Sequence, residues 1–499
     1  MTYANLDRRS RWVSLGIICL GILMILVDAT IVNVALPTIR SELGFTETSL
    51  VWVVNVYMLT FGGFLLLAGR LGDLYGPRDL FLIGITVFTL ASLACGLAES
   101  RGMLIFARGV QGLGGAIVAS VSLALLMSMF EEGVERAKAL GVYSFVCAAG
   151  GAVGLCFGGI LTDMFNWHWI FLVNVPIGVV VCALCFRVLP AIRTSQKDSR
   201  LDVWGAVTVT TSMMALIYAL VGANGEGGGS TWTRELLMGA ASLFVAFLII
   251  ESYSSRPLVP LRIFKIRNLT VANLIFVLWS ACMGSWFYLT ALYMQLVLGY
   301  SPIQIATAFL PLSILVGGFS LGLSARIVTR FGIRGPMTVG LVLRAAGLAL
   351  FARVPVDGRL LVDILPAMIL LGVGAGIGSN PVLLAAMRDV PRAENGLASG
   401  IINAGAQIGG AIGLALLAGV AASRTGDLLA AGVATRVALT SGYRVAFFCA
   451  SLCAVIALTG AFFMGTDRPR RRGIAEEGSN SNSPNTSSLS NSSDEVKAL

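Results

Sequence analysis

Apolar runs of helix-spanning length recur along the whole chain, and this repetition constrains its fold more than any other feature. A run of about 20 residues forms a helix long enough to cross roughly 30 Å of bilayer hydrocarbon. Only 12% of the 499 residues are charged, which is too few for the surface of a soluble protein of this size. The runs lack the alternation of barrel strands. The sequence therefore predicts an all-α polytopic membrane protein.

Fourteen membrane-spanning helices are predicted. They lie at 12–36, 50–69, 80–98, 103–129, 139–162, 169–189, 203–222, 236–252, 269–297, 303–325, 337–354, 360–387, 397–423 and 443–465. With a cytoplasmic N-terminus, the inner loops and termini hold 24 basic residues and the outer loops hold 8, leaving out Lys497 and two arginines within spans. This bias follows the positive-inside rule. It predicts a cytoplasmic-membrane protein with both termini inside.

Other features of the composition exclude several kinds of partner. The net charge of +9 is spread over loops, so it does not indicate nucleic acid. The nine cysteines lie in apolar runs without metal-ligand spacing, and no metal site or disulfide framework is predicted. The glycine strings "GLGGA" and "GVGAGIG" lie inside spans and lack the context of a phosphate loop. No cofactor or ATP site is therefore expected.

Two features recur about 255 residues apart and indicate an internal repeat. Gly76 and Arg78 match Gly332 and Arg334 in a later loop. Two spans also carry glycines four residues apart, which place small residues on one helix face. These glycines are Gly150, Gly154 and Gly158 in the fifth span, and Gly405, Gly409 and Gly413 in the thirteenth. Ordinary helix packing explains either triplet alone, whereas the matching offsets favour duplication of a bundle.

The predicted domains follow from that repeat. Residues 1–200 form an N-terminal six-helix bundle, and residues 266–465 form a C-terminal one. Residues 201–265 form an inserted helix pair and linker between them. Residues 466–499 are rich in Ser and Asn and lack periodicity, so they are predicted to be a disordered cytoplasmic tail. Two repeated halves around a central cavity are typical of a transporter, and this plan predicts a functional monomer.

Four short stretches carry a resemblance to a known family. They are "LVDATIVNVALP" at 26–37, "GRLGDLYGPR" at 69–78, "RGVQGLGGA" at 108–116 and "WHWIFLVNVPIG" at 167–178. In this order and on these spans they resemble the signatures of the major facilitator superfamily, in particular its fourteen-helix drug:proton antiporter branch. Three residues depart from the branch pattern: Leu74 replaces a basic residue, Leu155 a proline and His168 an arginine.

The resemblance implies a fold and a function. The expected fold is two six-helix bundles with two inserted central helices. The expected function is proton-coupled export of drug-like, amphipathic or cationic compounds by alternating access, driven by the proton gradient. Two alternatives remain: proton-coupled transport of a specific metabolite by the same fold, or a non-transporting membrane sensor. A membrane enzyme is not expected, because the chain has one histidine and no acidic cluster.

Asp28 and Arg108 are the predicted proton-coupling residues. An acidic residue inside a span is a functional candidate by default, and burial in an apolar cavity favours its protonated form. A proton and a bound cation would then compete for Asp28. Arg108, within the fourth span, needs an acceptor, and Asp28 is the nearest in kind. Structural roles are the alternatives: a hydrogen-bonded acid at Asp28 and a backbone clamp at Arg108.

Further candidates are predicted at the loops and in the cavity. By resemblance, Gly69, Asp73, Gly76 and Arg78 form a cytoplasmic latch in which Asp73 faces the start of span 13 near Asn395 and Gly396; a well-capped turn is the alternative. The side chain of Arg344 in span 11 either extends to the membrane–water interface or has a role in transport. The substrate-cavity candidates are Asn33, Asn55, Tyr57, Gln111, Trp286, Tyr288, Tyr293, Asn403 and Gln407.

Overall fold

In the part of the chain that the structure describes, fourteen long helical segments, α1 to α14, follow the predicted apolar runs in chain order. The structure is a computed structural model that describes residues 7–131, 133–189, 202–223, 231–254 and 257–464. The segments are α1 Arg8–Leu43, α2 Trp52–Tyr75, α3 Pro77–Gly96, α4 Arg101–Met129, α5 Val134–Met164, α6 Asn174–Val188, α7 Val203–Ala223, α8 Thr231–Tyr253, α9 Arg267–Leu292, α10 Pro302–Gly318, α11 Arg334–Phe351, α12 Leu365–Met387, α13 Asn395–Ala430 and α14 Thr435–Phe462. The described residues contain no strand, so the all-α prediction is confirmed.

The number of membrane crossings is a separate question from the number of helices. Eleven helical segments of the described residues are long and apolar enough to span a membrane. The helices α5, α10 and α11 are not among them, and α10 is interrupted by a π-helical turn at Phe319–Leu323 before it continues as Ser324–Phe331. The chain is thus a multi-pass membrane protein, while the count of fourteen spans stays a prediction. The predicted tail lies outside the described residues.

Several helices extend beyond the predicted apolar runs. The helix α1 covers 8–43, whereas 12–36 was predicted, and it ends at Gly44, whose φ of 66° is left-handed. The Gly44 N–H donates to the Arg40 carbonyl and closes the last turn. Hydropathy locates the part of a helix that lies in hydrocarbon. The backbone hydrogen bonds of the helix continue beyond it until a residue ends them.

The helices pack in two groups. Within the first, α1 packs on α5, and α4 packs on both α2 and α3. Within the second, α9 packs on α13 and α11 packs on both α12 and α14. The helices α7 and α8 pack on each other, and α7 also contacts α2. This is the arrangement that two bundles with an inserted pair require, while the domain boundaries proposed from the sequence stay predictions.

The two glycine triplets make equivalent contacts in the two groups. A Cβ at Gly154 would lie 2.7 Å from the Val27 carbonyl oxygen, and one at Gly158 would lie 2.9 Å from that of Ile31. A Cβ at Gly409 would lie 2.9 Å from Val277 Cα. The α5 triplet therefore packs on α1, and the α13 triplet packs on α9, the first helix of the second group.

The repeated loops also make equivalent contacts. Gly76 and Gly332 both have positive φ, at 98° and 75°, a conformation that glycine adopts without strain. Arg78 Nε donates to the Leu189 carbonyl at 3.0 Å, at the end of α6. Arg334 Nη2 donates to the Phe462 carbonyl at 2.8 Å, at the end of α14. Each arginine thus caps the last helix of its own group.

Candidate functional site

A buried ion pair joins α1 to α4. Asp28 Oδ2 accepts a hydrogen bond from Arg108 Nη1 at 2.7 Å, and both side chains are fully buried. Arg108 Nε also donates to the Val53 carbonyl at 3.0 Å. One turn further along α4, Gln111 accepts from Arg108 Nη1 at 2.8 Å and donates to Asp28 Oδ1 at 2.8 Å. The interpretations of Arg108 as ion-pair partner and as backbone clamp therefore both describe real contacts.

Two more polar side chains complete this cluster, which we call the Asp28 network. Asn174, the first residue of α6, donates to Asp28 Oδ1 at 2.9 Å and to Ser92 Oγ at 3.0 Å. Ser92, on α3, in turn donates to the Phe171 carbonyl at 2.9 Å. The Asp28 carboxylate thus receives three N–H donors from two helices. Such an arrangement stabilises the ionised form and opposes the effect of burial.

The Asp28 network also contains polar atoms without partners. The Arg108 guanidinium lies over the Tyr57 ring, with its carbon 4.3 Å from the ring centroid, which is a cation–π contact. Arg108 Nη2, Tyr57 OH and Asn174 Oδ1 are buried and have no hydrogen-bond partner. The Asp28 network is therefore not fully satisfied by its own hydrogen bonds.

A cavity of about 510 Å³ lies between the two helix groups. Its lining is mainly apolar and aromatic and comes from both groups. It includes Thr30, Tyr143, Trp279, Phe309, Arg344 and Asn403. Asp28 and Arg108 do not belong to the lining, although Thr30 lies only two residues beyond Asp28 on α1. A cavity of this size and character suits a bulky, largely apolar small molecule.

Arg344 does not reach the interface. Its side chain is 1% exposed and belongs to the cavity lining. The guanidinium carbon lies 3.6 Å from the centroid of the Trp279 ring, and Nη1 donates to the Trp279 carbonyl at 3.0 Å. Of the two interpretations that the sequence leaves open, snorkelling is therefore wrong for this arginine.

The helix groups meet at the end of α2 and the start of α13. Asp73 Oδ1 accepts from the Gly396 backbone N–H at 2.7 Å, and Oδ2 accepts from that of Leu397 at 2.8 Å. Close approach requires small residues here, because a Cβ at Gly69 would lie 3.1 Å from the Gly396 carbonyl carbon. Gly76 and Arg78, by contrast, build the adjoining turn and cap α6 within their own group.

The predicted cavity residues are distributed over several sites. Asn403 lines the cavity, whereas Gln111 and Tyr57 belong to the Asp28 network. Trp286 is buried against Phe309 and Phe351, and Tyr293 donates to the Pro355 carbonyl at 2.6 Å. Three residues lie outside the lining with part of their side chains accessible: Asn55, Tyr288 and Gln407. The side chain of Asn33 lies outside the described part of the chain.

Several residues of both sites are not predicted by the sequence. Asn174 and Ser92 are isolated polar residues in apolar spans, and this isolation was the available signal. Tyr143, Ser144 and Trp279 line the cavity, but nothing in their local pattern separates them from ordinary packing residues. Within the described residues, no group of three potential metal ligands is found.

The chain is polytopic, and a buried ion pair lies beside a cavity between two helix groups. This plan is typical of transporters. Residues 18–414 match the Major Facilitator Superfamily. The chain is 36% identical to a puromycin resistance protein of Streptomyces alboniger, over 95% of both chains. It is 36% identical to a cephamycin export protein of Amycolatopsis lactamdurans, over 83% of this chain and 85% of that protein. The human organic anion transporter MFSD10 has the same fold, with a TM-score of 0.65 and 15% identity over 91% of this chain and 100% of that one.

The chain therefore belongs to the Major Facilitator Superfamily. This confirms the resemblance found in the sequence and makes the protein a transporter rather than an enzyme.

Proposed function

We propose that this protein exports drug-like, amphipathic small molecules across the cytoplasmic membrane in exchange for protons, by alternating access. The relatives described above are named for resistance to puromycin and for export of cephamycin, which supports drug-like substrates and outward transport. The cavity between the helix groups supports one site that both halves share. The proton gradient is the proposed energy source, and both termini are placed in the cytoplasm.

The buried Asp28–Arg108 pair is the observation that carries proton coupling. A carboxylate within membrane helices is costly, and acidic residues in such positions commonly serve in proton relays. Here the carboxylate is held by Arg108, Gln111 and Asn174. When a proton neutralises Asp28, Arg108 becomes a buried cation without a counter-charge, which is strongly unfavourable. Protonation therefore drives a rearrangement of α1 against α4.

The helices α1 and α5 connect that rearrangement to the cavity. Thr30 lies on α1 close to Asp28 and lines the cavity, while Gly154 packs α5 tightly on Val27 of the same helix. The helix α5 contributes Tyr143 and Ser144 to the lining. A shift of α1 is thereby passed to residues that contact the substrate. This coupling does not require the substrate to touch Asp28.

The Asp73 contacts support a state closed on one side. Asp73 is bonded to the first turn of α13, where a carboxylate is favoured by the helix dipole. Ser144 and Asn380 form a second hydrogen bond between the groups. We assign this closed side to the cytoplasm from the distribution of basic residues. Release of these contacts opens the cavity to the cell interior.

Proton release from proteoliposomes tests the proposal. Purified protein is reconstituted in vesicles with a trapped pH indicator and an imposed pH gradient, and puromycin followed by a panel of lipophilic compounds is added. The wild type is expected to release protons on addition of substrate, and Asp28→Asn is expected to release none. Asp357→Asn is the matched control, because Asp357 is an exposed carboxylate in a loop.

The outcomes separate the alternatives. Equal proton flux in the wild type and Asp28→Asn would show that the proton carrier lies elsewhere. Substrate movement without proton flux would overturn proton coupling but leave export standing. Absence of flux and of uptake with every compound would contradict drug export and favour a specific metabolite or a sensor.

A further inference from the structure

The central cavity contains a positive charge that no acidic residue of the described chain balances. Arg344 is the one charged residue among the described residues that line the cavity, and it is 1% exposed. A buried guanidinium has five N–H donors and is always charged. A compound in the cavity therefore lies close to a fixed positive charge.

The contacts of Arg344 leave part of the hydrogen-bonding capacity of its N–H groups unused. Nη1 donates to the Trp279 carbonyl at 3.0 Å, and Nη2 faces Met283 Sδ at 3.5 Å. A thioether is a weak acceptor. Nε is buried without a hydrogen-bond partner. The Trp279 ring below the guanidinium adds a cation–π contact but no acceptor oxygen.

No carboxylate is placed to neutralise this arginine. The acidic residues of 267–464 lie in loops or at helix ends: Asp357, Asp363, Asp389, Glu394 and Asp427. No Asp or Glu of the described chain lies within 4.0 Å of Arg344, and Asp28 is engaged by Arg108. The two buried arginines thus differ, because Arg108 has an internal counter-ion and Arg344 has none.

We propose that Arg344 binds an oxyanion of the substrate, so that the cavity prefers amphipathic organic anions. This inference rests on the proposed function, in which the cavity holds the exported compound. The planar guanidinium matches a carboxylate, phenolate or phosphate group. The aromatic side chains of Trp279, Phe309 and Phe276 would contact the apolar body of the compound. A cationic compound, one of the substrate types expected from the resemblance, would be repelled here.

A matched set of probes tests the preference. The set is one pyrene body with one spacer, ending in a carboxylate, a carboxamide or a trimethylammonium group. Binding to the full-length protein in phosphatidylcholine nanodiscs is followed by energy transfer from tryptophan to pyrene. Since hydrogen bonds to charged groups contribute about 1.5–3 kcal/mol, the carboxylate should bind about tenfold or more tightly than the carboxamide. The trimethylammonium probe should bind most weakly.

Substitutions assign the preference to Arg344. In Arg344→Gln the carboxylate should lose its advantage, so that the carboxylate and the carboxamide bind with equal affinity. Arg344→Lys keeps the charge and should retain part of the preference, which covers the case in which Arg344→Gln does not fold. Arg353→Gln, which removes an exposed arginine just beyond α11, should behave as the wild type.

Each remaining outcome overturns the inference in a recognisable way. A preference that persists in Arg344→Gln would place the anion site elsewhere. Loss of the preference on adding phosphatidylglycerol to the nanodiscs would assign Arg344 to a lipid headgroup. Efficient export of the cationic probe without anion preference would refute the inference while the proposed function stands. Absence of binding and export for all three probes would count against the proposed function itself.

Discussion

Arg108 and Arg344 are both buried among helices, yet they lie in opposite electrostatic surroundings. Arg108 bonds to Asp28, to Gln111 and to a backbone carbonyl, and it lies over Tyr57. Arg344 contacts one backbone carbonyl, a tryptophan ring and a methionine sulfur, and none of these carries a negative charge. Residue type and depth in the span are visible in the sequence, and so is Asp28 as an acceptor for Arg108. The remaining partners are not, since they come from distant parts of the chain.

At this scale we predict a strong coupling between Asp28 and Arg108. Arg108→Gln should lower the free energy of unfolding by about 3–5 kcal/mol, because it leaves a buried carboxylate without its cation. The double variant with Asp28→Asn should be more stable than Arg108→Gln alone. A double-mutant cycle measured by SDS titration in mixed micelles checks this. Strictly additive losses would mean that the two side chains do not interact energetically.

At the scale of elements, glycine faces set the distance between helices. The Gly409 backbone lies against Val277 so closely that an added Cβ would come within 2.9 Å of Val277 Cα. On the same helix, a Cβ at Gly419 would meet nothing within 4 Å. The spacing of four predicted that the triplets share a face, but only the fold shows that they face α1 and α9.

We therefore predict that alanine has opposite effects at two positions of α13. Gly409→Ala should destabilise the protein by about 1–3 kcal/mol through overpacking against α9. Gly419→Ala should be neutral, or stabilising by up to about 1 kcal/mol, because alanine favours the helix. Unfolding in mixed micelles compares the two variants directly. Equal effects would show that α9 and α13 are less closely packed than described.

At the scale of the whole molecule, the closed state that we propose depends on contacts between the helix groups. Asp73 with Gly396 and Leu397, and Ser144 with Asn380, join the groups beside the cavity. These hydrogen bonds can be exchanged for bonds to water when the groups separate, so breaking them costs little net free energy. The proposed closed state is therefore held in part by interactions that a single substitution can weaken.

Asp73→Asn is expected to shift the protein towards the state open on that side. Loss of a charge-assisted pair of hydrogen bonds, about 1.5–3 kcal/mol, corresponds to about a tenfold or larger change in the ratio of open to closed molecules. Spin labels at the exposed positions Tyr75 and Phe331, in a background with the native cysteines replaced, report the distance between the groups. Longer distances should gain population.

Asp79→Asn provides the control for this measurement. Asp79 is a neighbouring carboxylate that bonds to Arg78 within its own group. Its replacement should leave the distance distribution unchanged. An identical distribution in Asp73→Asn and the wild type would show that the Asp73 contacts do not control opening.

The sequence by itself determined the membrane-embedded helices and the family, because these depend on hydropathy and on local motifs. It also predicted that Asp28, Arg108 and Asp73 matter, since charged and acidic residues are conspicuous in apolar spans. Only the tertiary structure decided which residues surround them. Asn174 and Ser92 join Asp28, and Arg344 faces the cavity, because helices far apart in sequence pack side by side. Burial and partner geometry are properties of that packing, and no local pattern contains them.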